Sequence, residues 1–369
     1  MQANQSPEQP NPPADNAAPA SRDFSTISPS AFTLLLMKGL TPIPYARQAA
    51  ELLLASRPNT ADPIAAAKAT ASNPTESNPD TPHPTPSHPS ASQPDASQPS
   101  APNPTAPTPQ PLNPFDTEHR PPLFWARLLH FENRYWNIDQ LMQSLDITNI
   151  LELSSGFSFR GLALSREKPV YYIDTDLPDL IATKQQFVSA LTREPQPTAA
   201  NAPSTPAPGH YELLPLNVLD APAFQAIAHR FPPGPLLIVN EGLLVYLDQA
   251  EKEALCQTIR SILRQRGGYW ITGDIYIQKE LDPSLIDRED SFHQFLQQHN
   301  IEEKKFPDFE RAAEFFTRMG FVVDREAAMD ISRLSALPHL LASMSPETQK
   351  KLAQTPKMHA TWRLRVAGS

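Results

Sequence analysis

The sequence predicts an open α/β sheet with helices on both faces. Three observations predict it. Short apolar runs of β type recur between Asn149 and Asp274, helix-like stretches separate them, and the prolines that would break such elements are gathered elsewhere. Proline makes up 43 of the 369 residues, about 12 per cent against an average near 5 per cent. Each proline removes a backbone donor and clashes with the preceding turn, so such a density cannot be spread through helices and central strands. Ala65 to Pro111 indeed carries no Val, Ile, Leu, Met, Phe, Trp or Tyr. Such a run has nothing to bury against the entropy of ordering it, which predicts a long disordered Pro-rich insertion.

Element by element, residues 1–23 read as a disordered start and 24–57 as an N-terminal helical cap. Within the cap, Leu34, Leu35, Leu36, Met37 and Leu40, then Ala46, Ala49, Leu52 and Leu53, predict two helices broken at Thr41-Pro42-Ile43-Pro44. The island Phe32 to Leu54 is too small to fold alone, so it must pack on the main domain. Residues 58–121 read as its disordered linker, whose closure entropy grows only slowly with length. The main domain is expected over 122–369.

From Pro122 onward, Phe124, Leu128, Phe131, Tyr135, Ile138, Leu141 and Met142 recur at helical spacing. Strands are expected at Asn149–Leu153, Val170–Asp174, Tyr211–Leu216, Leu236–Asn240 and Tyr269–Asp274. Helices are expected between them, at Phe159–Ser165, Leu177–Leu191, Ala223–Arg230 and Gln249–Gln265. That alternation implies parallel pairing with right-handed crossovers. A second Pro/Ala stretch, 193–210, reads as a flexible loop inside the domain. Beyond it, Leu285–Gln298 looks like an inserted helix, Phe309–Met319 a helix, Phe321–Asp324 a strand and His359–Val366 a terminal strand.

Charge narrows the function classes. The formal net charge is -9 with no Lys/Arg stripe, which disfavours a nucleic-acid partner. The single cysteine, Cys256, excludes a disulfide framework or a cysteine-based zinc site. His83, His88 and His119 sit in or beside the linker with no ligand spacing, so no metal site is expected. No apolar run approaches the roughly 18 to 20 residues of a membrane span, and the start lacks a signal-peptide profile. These features predict a soluble, cytoplasmic chain without a membrane partner.

In an open sheet of this kind ligands bind beyond the carboxyl ends of the strands, so the turn after the first strand matters most. It reads Ser154-Ser155-Gly156-Phe157-Ser158. A dinucleotide site needs three glycines as G-x-G-x-x-G, and only the middle one, Gly156, is present. A nucleoside without a pyrophosphate needs less: one bend where backbone approaches the ligand, an acid near the strand end, and an acid on the next strand for ribose hydroxyls. Glu152, Gly156 and the pair Asp174/Asp176 supply all three.

The ordered runs ILELSSGFSFRGLALS, VYYIDTDLPDLIATK, LPLNVLD and PLLIVNEGLLVYL, with Arg134 and Ile138-Asp139 upstream, resemble a known family. It is the leucine carboxyl methyltransferase type of class I S-adenosylmethionine (SAM)-dependent methyltransferase, which includes polyketide O-methyltransferases. The likeness extends from about Phe124 to Ile275. It implies a Rossmann-like class I methyltransferase sheet and SAM as cofactor, with a methyl group passed to a carboxylate or hydroxyl of a small molecule or to a protein C-terminus. By position, the resemblance gives Arg134 the methionine carboxylate, Ser154 and Gly156 the turn under methionine and ribose, and Asp176 the ribose hydroxyls. Asn217 and Val218 would flank adenine, and Glu241 would lie near the amino acid end. The family usually has glycine where Ser154 stands and aspartate where Asn217 stands.

On the acceptor side, Tyr246, Asp274 and His293 are the candidates for a base. A carboxylate acceptor needs none, whereas a hydroxyl gains from one. Blander roles compete: Glu152 satisfied by backbone amides, Arg134 paired with Glu132 or Asp139 on a solvated helix face, and Glu241-Gly242 as an ordinary helix start. Two other classes of function stay open, a NAD-type oxidoreductase disfavoured by the missing glycines and a non-catalytic binding protein on a decayed site.

Overall fold

A computed structural model describes residues 28–56, 115–118, 120–193, 209–278 and 291–368. The expected disordered start, most of the Pro-rich linker with His83, His88 and His119, the loop 194–208 and the His293 side chain lie outside the described residues.

The cap forms the two expected helices, α1 (Ser28–Lys38) and α2 (Ala46–Ala55). Leu35, Ala49, Ala50 and Leu53 bury against Phe157, Leu162, Leu180 and Phe187 of the main domain. The far end of the expected linker belongs to this packing: Phe115 joins that cluster, and the Arg47 guanidinium sits 3.6 Å above its ring. A large aromatic ring supplies the apolar area that the preceding 47 residues lack, and this moves the boundary of the packed chain back from 122.

The long helix α3 (Pro122–Gln143) precedes the sheet, and Trp125, Leu128, Phe131, Tyr135, Ile138 and Leu141 are buried along it. Then follow β1 (Asn149–Leu153), α4 (Arg160–Glu167), β2 (Tyr171–Asp176), α5 (Pro178–Arg193), β3 (His210–Pro215), α6 (Ala221–Ala228), β4 (Leu236–Asn240), α7 (Gln249–Arg266) and β5 (Gly268–Tyr276). The chain continues through α8 (Ser291–Gln298), α9 (Ile301–Lys304), α10 (Phe309–Arg318), β6 (Phe321–Glu326), α11 (Ala336–Ala342), α12 (Pro346–Ala353) and β7 (His359–Val366). Helices α11 and α12 have no counterpart in the sequence-based expectation. Cys256 is buried in α7.

The seven strands lie in the order β3-β2-β1-β4-β5-β7-β6. Strands β1 to β5 pair in parallel, and β7 runs antiparallel between β5 and β6. The first five follow the doubly wound order, with its switch point between β1 and β4. Alternation along the strands divides the core. Leu151, Leu153, Leu236, Ile238 and Trp270 face α6, α7 and α10. Ile150, Tyr172, Leu237, Val239 and Ile271 face α3 and α4. No described helix is long and apolar enough to cross a membrane.

Candidate functional site

A cavity of about 450 Å³ opens where the carboxyl ends of β1 to β4 meet the cap. That volume lies within the roughly 300–1,000 Å³ usual for small-molecule sites. Its walls come from the segments after β1 (Ser154 to Ser158), β2 (Asp176, Leu177), β3 (Leu216 to Val218) and β4 (Glu241 to Leu247), from Tyr276, and from α1 and α3. Leu296, Ile301 and Lys305 close the remaining side.

The turn after β1 explains its own sequence. Ser154 and Gly156 both have φ of 49°, the left-handed region in which an L side chain costs roughly 1–2 kcal/mol. Ser154 therefore holds the backbone shape that a glycine would adopt freely. The turn is pinned from outside: Ser155 N donates to Thr175 O at 2.9 Å, and Lys184 Nζ donates to Ser155 Oγ at 2.8 Å. Gly156 N donates to Asp176 Oδ2 and Leu177 N to Asp176 Oδ1, both at 2.7 Å. A carboxylate has about four acceptor positions, so two stay available on this buried, cavity-lining group. Burial raises the Asp176 carboxyl above its ordinary value against those two amides.

At the other end of the cavity, Glu241 collects three cations. Lys38 Nζ lies 2.7 Å from its Oε1, Arg134 Nε and Nη2 lie 3.2 and 3.1 Å from the same oxygen, and Arg160 Nη2 is 3.3 Å from Oε2. Burial alone would raise the Glu241 carboxyl, but Lys38, Arg134 and Arg160 together hold it well below the usual carboxylate range. Burial conversely lowers Lys38, with Glu241 opposing. Arg134 Nη1 also donates to Tyr276 Oη at 2.9 Å, and that hydroxyl is 2.7 Å from His130 Nε2. Burial pushes Tyr276 up to about 12 and His130 well below its ordinary value. Tyr246 also lines the cavity, its hydroxyl raised by burial against a hydrogen bond with Ser30.

Seven of the expected cofactor residues line this one cavity: Arg134, Ser154, Gly156, Asp176, Asn217, Val218 and Glu241. Glu152 and Asp174 do not. Both lie within their strands, short of the carboxyl tips where Ser154 and Asp176 stand, and both are fully buried in the sheet layer. Glu152 pairs with Arg160 Nη1 at 2.7 Å and accepts from Tyr172 Oη at 2.5 Å. Asp174 pairs with Lys184 at 2.7 Å and accepts from Tyr211 Oη at 2.6 Å, while its Oδ1 meets no partner among the described residues. These buried pairs brace the turn from behind. Neither is exposed to a ligand.

Asp274, expected as a base, is also absent from the cavity wall. Its Oδ1 accepts from Gly242 N at 2.6 Å, and its Oδ2 from Asn240 Nδ2, Leu243 N and Leu244 N at 2.6, 2.7 and 3.0 Å. It anchors the loop that presents Glu241 and Tyr246. The bland pairings also give way. Arg134 is buried rather than solvated, Glu132 instead accepts from Ser335 and Ala336 at the start of α11, and Asp139 pairs with Arg160. The segment after Glu241-Gly242 forms only a single 3-10 turn, Leu244–Tyr246. Glu152 is satisfied by side chains rather than backbone amides.

Sequence reasoning missed Lys38, His130 and Tyr276. Lys38 carried a signal, being the only charged residue between Phe24 and Arg47. His130 and Tyr276 carried none, because 146 residues separate the two halves of their hydrogen bond.

No family model and no curated protein matches the chain. Solved structures resemble it at low identity. Magnesium protoporphyrin IX methyltransferase from Synechocystis PCC 6803, with bound SAH, matches at 8% identity and a TM-score of 0.38, covering 66% of this chain and 86% of that one. Mitomycin 7-O-methyltransferase MmcR matches at 10% identity and 0.36, covering 63% and 53%. The pyocyanin biosynthetic protein PhzM matches at 12% and 0.35, covering 63% and 54%. The chain thus spans about half the length of the latter two.

Proposed function

We propose that the chain is a SAM-dependent O-methyltransferase that passes a methyl group to a carboxylate or hydroxyl of a small molecule, less readily to a protein C-terminus. The observation carrying this reading is the pairing of the Ser154–Gly156 turn with the Asp176 carboxylate at the switch point of the sheet, in one cavity with Asn217, Arg134 and Glu241.

The residues fit the cofactor. A Cβ built on Gly156 would meet only the Ala31 Cβ, at 3.9 Å, so backbone rather than side chain borders the cavity there. Asp176 keeps two acceptor positions for the ribose hydroxyls. Asn217 and Val218 line the stretch assigned to adenine, where the Asn217 amide both donates and accepts. Glu241 has its four acceptor positions taken by Lys38, Arg134 and Arg160, so what the cluster offers an amino acid end is the Lys38 and Arg134 pair of cations, a charge-assisted match for its carboxylate. A NAD-type site is disfavoured by the same turn, which has Ser154 and Phe159 where two further glycines would stand.

SAM when bound supplies a methyl group on a sulfonium. The protein's part is positional. Its walls must hold the acceptor oxygen roughly 3–3.5 Å from the methyl carbon and keep water away. The cap contributes to both, through Lys38 on Glu241 and through Ala31, Leu34 and Leu35 on the cavity wall. The direct experiment is calorimetry with SAM and with S-adenosylhomocysteine (SAH) on the full chain. Micromolar binding is expected, and the absence of binding to either refutes the reading.

A further inference from the structure

Resting on that reading, we propose that His130 is the general base of the reaction and that the acceptor is a hydroxyl of phenolic or enolic type on an apolar body. His130 is a group that carboxylate methylation has no use for. A carboxylate is ionised already, so a buried imidazole on the cavity wall would have no proton to take.

His130 and Tyr276 both line the cavity and are joined by a 2.7 Å hydrogen bond. Arg134 has only donors, so its 2.9 Å contact makes Tyr276 Oη an acceptor on one side. With the His130 proton on Nε2, that oxygen accepts a second bond, its own proton turns to the cavity that Tyr276 lines, and the imidazole is oriented, leaving Nδ1 with a lone pair. Burial above all keeps the ring uncharged, with His359 of β7 at 5.1 Å between ring centroids, Arg134 on its own helix and Lys305 near α9 adding to it and Glu241 opposing. Tyr276 of β5 faces the same ring through its hydroxyl. His359 is itself committed, its Nε2 donating to Gly273 O at 2.6 Å. Phe131, Leu243, Leu296 and Ile301 line the same cavity and suit an aromatic body.

The step balances. As the acceptor oxygen forms its bond to the methyl carbon, the methyl–sulfur bond breaks and its electron pair stays on sulfur. The hydroxyl proton becomes strongly acidic during this attack and passes to His130 Nδ1. Tyr276 Oη, accepting from Nε2, stabilises the imidazolium until the proton passes to water once the methylated product has left.

The test uses the full chain, the variants His130→Gln and Tyr276→Phe, and a mixed panel of phenols and aromatic carboxylates, including 2-naphthol and 2-naphthoate, with methylated products read by mass. Methyl transfer to phenols is expected, with a rate flat between pH 7 and 9. His130→Gln keeps a side chain that can bond Tyr276 but has no base. It should lower the rate at pH 7 by about 100-fold or more and make it rise about tenfold per pH unit as the phenol ionises in solution. Tyr276→Phe should cost about tenfold and keep the flat profile. Independently of turnover, nitrogen-15 NMR of the SAH complex should find the His130 proton on Nε2. Products from carboxylates alone, no product from the panel while SAH binds, a His130→Gln rate within threefold of the parent, or a proton on Nδ1 each overturns the proposal. Failure to bind SAH instead overturns the methyltransferase reading beneath it. If His130→Gln loses SAH affinity, the Tyr276→Phe rate and the NMR tautomer decide.

Discussion

Replacing Asp274 by asparagine separates a loop anchor from a catalytic base. Asp274 is 2% exposed and accepts four hydrogen bonds, three of them from consecutive backbone amides, Gly242 to Leu244. Asparagine is nearly isosteric but turns one acceptor oxygen into a donor. Facing Gly242 N, its NH₂ loses one charge-assisted bond, leaves that amide unpaired, and weakens the other three by removing the charge. A lost bond to a charged group is worth about 1.5–3 kcal/mol and an unsatisfied buried donor about 1–3 kcal/mol, so the change should cost about 3–5 kcal/mol. For a folded unit of this size, at about 2 °C per kcal/mol, that corresponds to a fall in Tm of roughly 6–10 °C. The assay is urea unfolding followed by tryptophan fluorescence, with SAH affinity measured below the transition. Affinity should also fall, because the freed loop carries Glu241. A loss of stability under 1 kcal/mol together with abolished methyl transfer would refute the anchor and restore Asp274 as a base.

Further outcomes follow from the same geometry. Ser154→Gly should stabilise the fold by about 1 kcal/mol or less, since relief of a φ of 49° is partly offset by glycine's larger unfolded-state entropy. SAH affinity should stay within threefold, and a large gain would instead mark a decayed site. Asp176→Ala should weaken SAH binding about 100-fold in calorimetry, the loss of roughly 3 kcal/mol in bonds from ribose hydroxyls to a charged acceptor. Burial holds His359 down at about 4, from an ordinary 6.5, against the Gly273 carbonyl and with Arg134 and Lys357 adding to the shift. The unfolded chain then binds the extra proton first, so stability should fall as pH drops from about 6.5 to about 4, by on the order of 3 kcal/mol. His359→Gln should shrink that slope in chemical denaturation at stepped pH.

Much of the fold was legible because its signals are local. The apolar runs of β1, β4 and β5 and the 3.6-residue periodicity of α3 report burial that any sheet-and-helix packing would impose. Helices α11 and α12 were not legible. Each is eight residues or fewer, and Ala336 and Leu340 find their burial against Trp125 and Leu128, over 200 residues away in sequence. Strand ends show the same division. Asp176 lies at the tip of β2 and reaches the cavity, whereas Asp174, two residues earlier, is held within the sheet layer by Lys184 and Tyr211.

By itself the sequence determined the alternation of strands and helices, the bend at Ser154–Gly156 and the acid at the end of β2, because each depends on residues within one or two turns of chain. The tertiary structure alone decided which ionisable groups reach the cavity. Lys38 meets Glu241 across 203 residues, His130 meets Tyr276 across 146, and Asp274 is drawn away by the amides of the loop after β4. Burying a charge or a polar group is costly unless a partner arrives with it, and the partner's identity is settled only when distant segments pack.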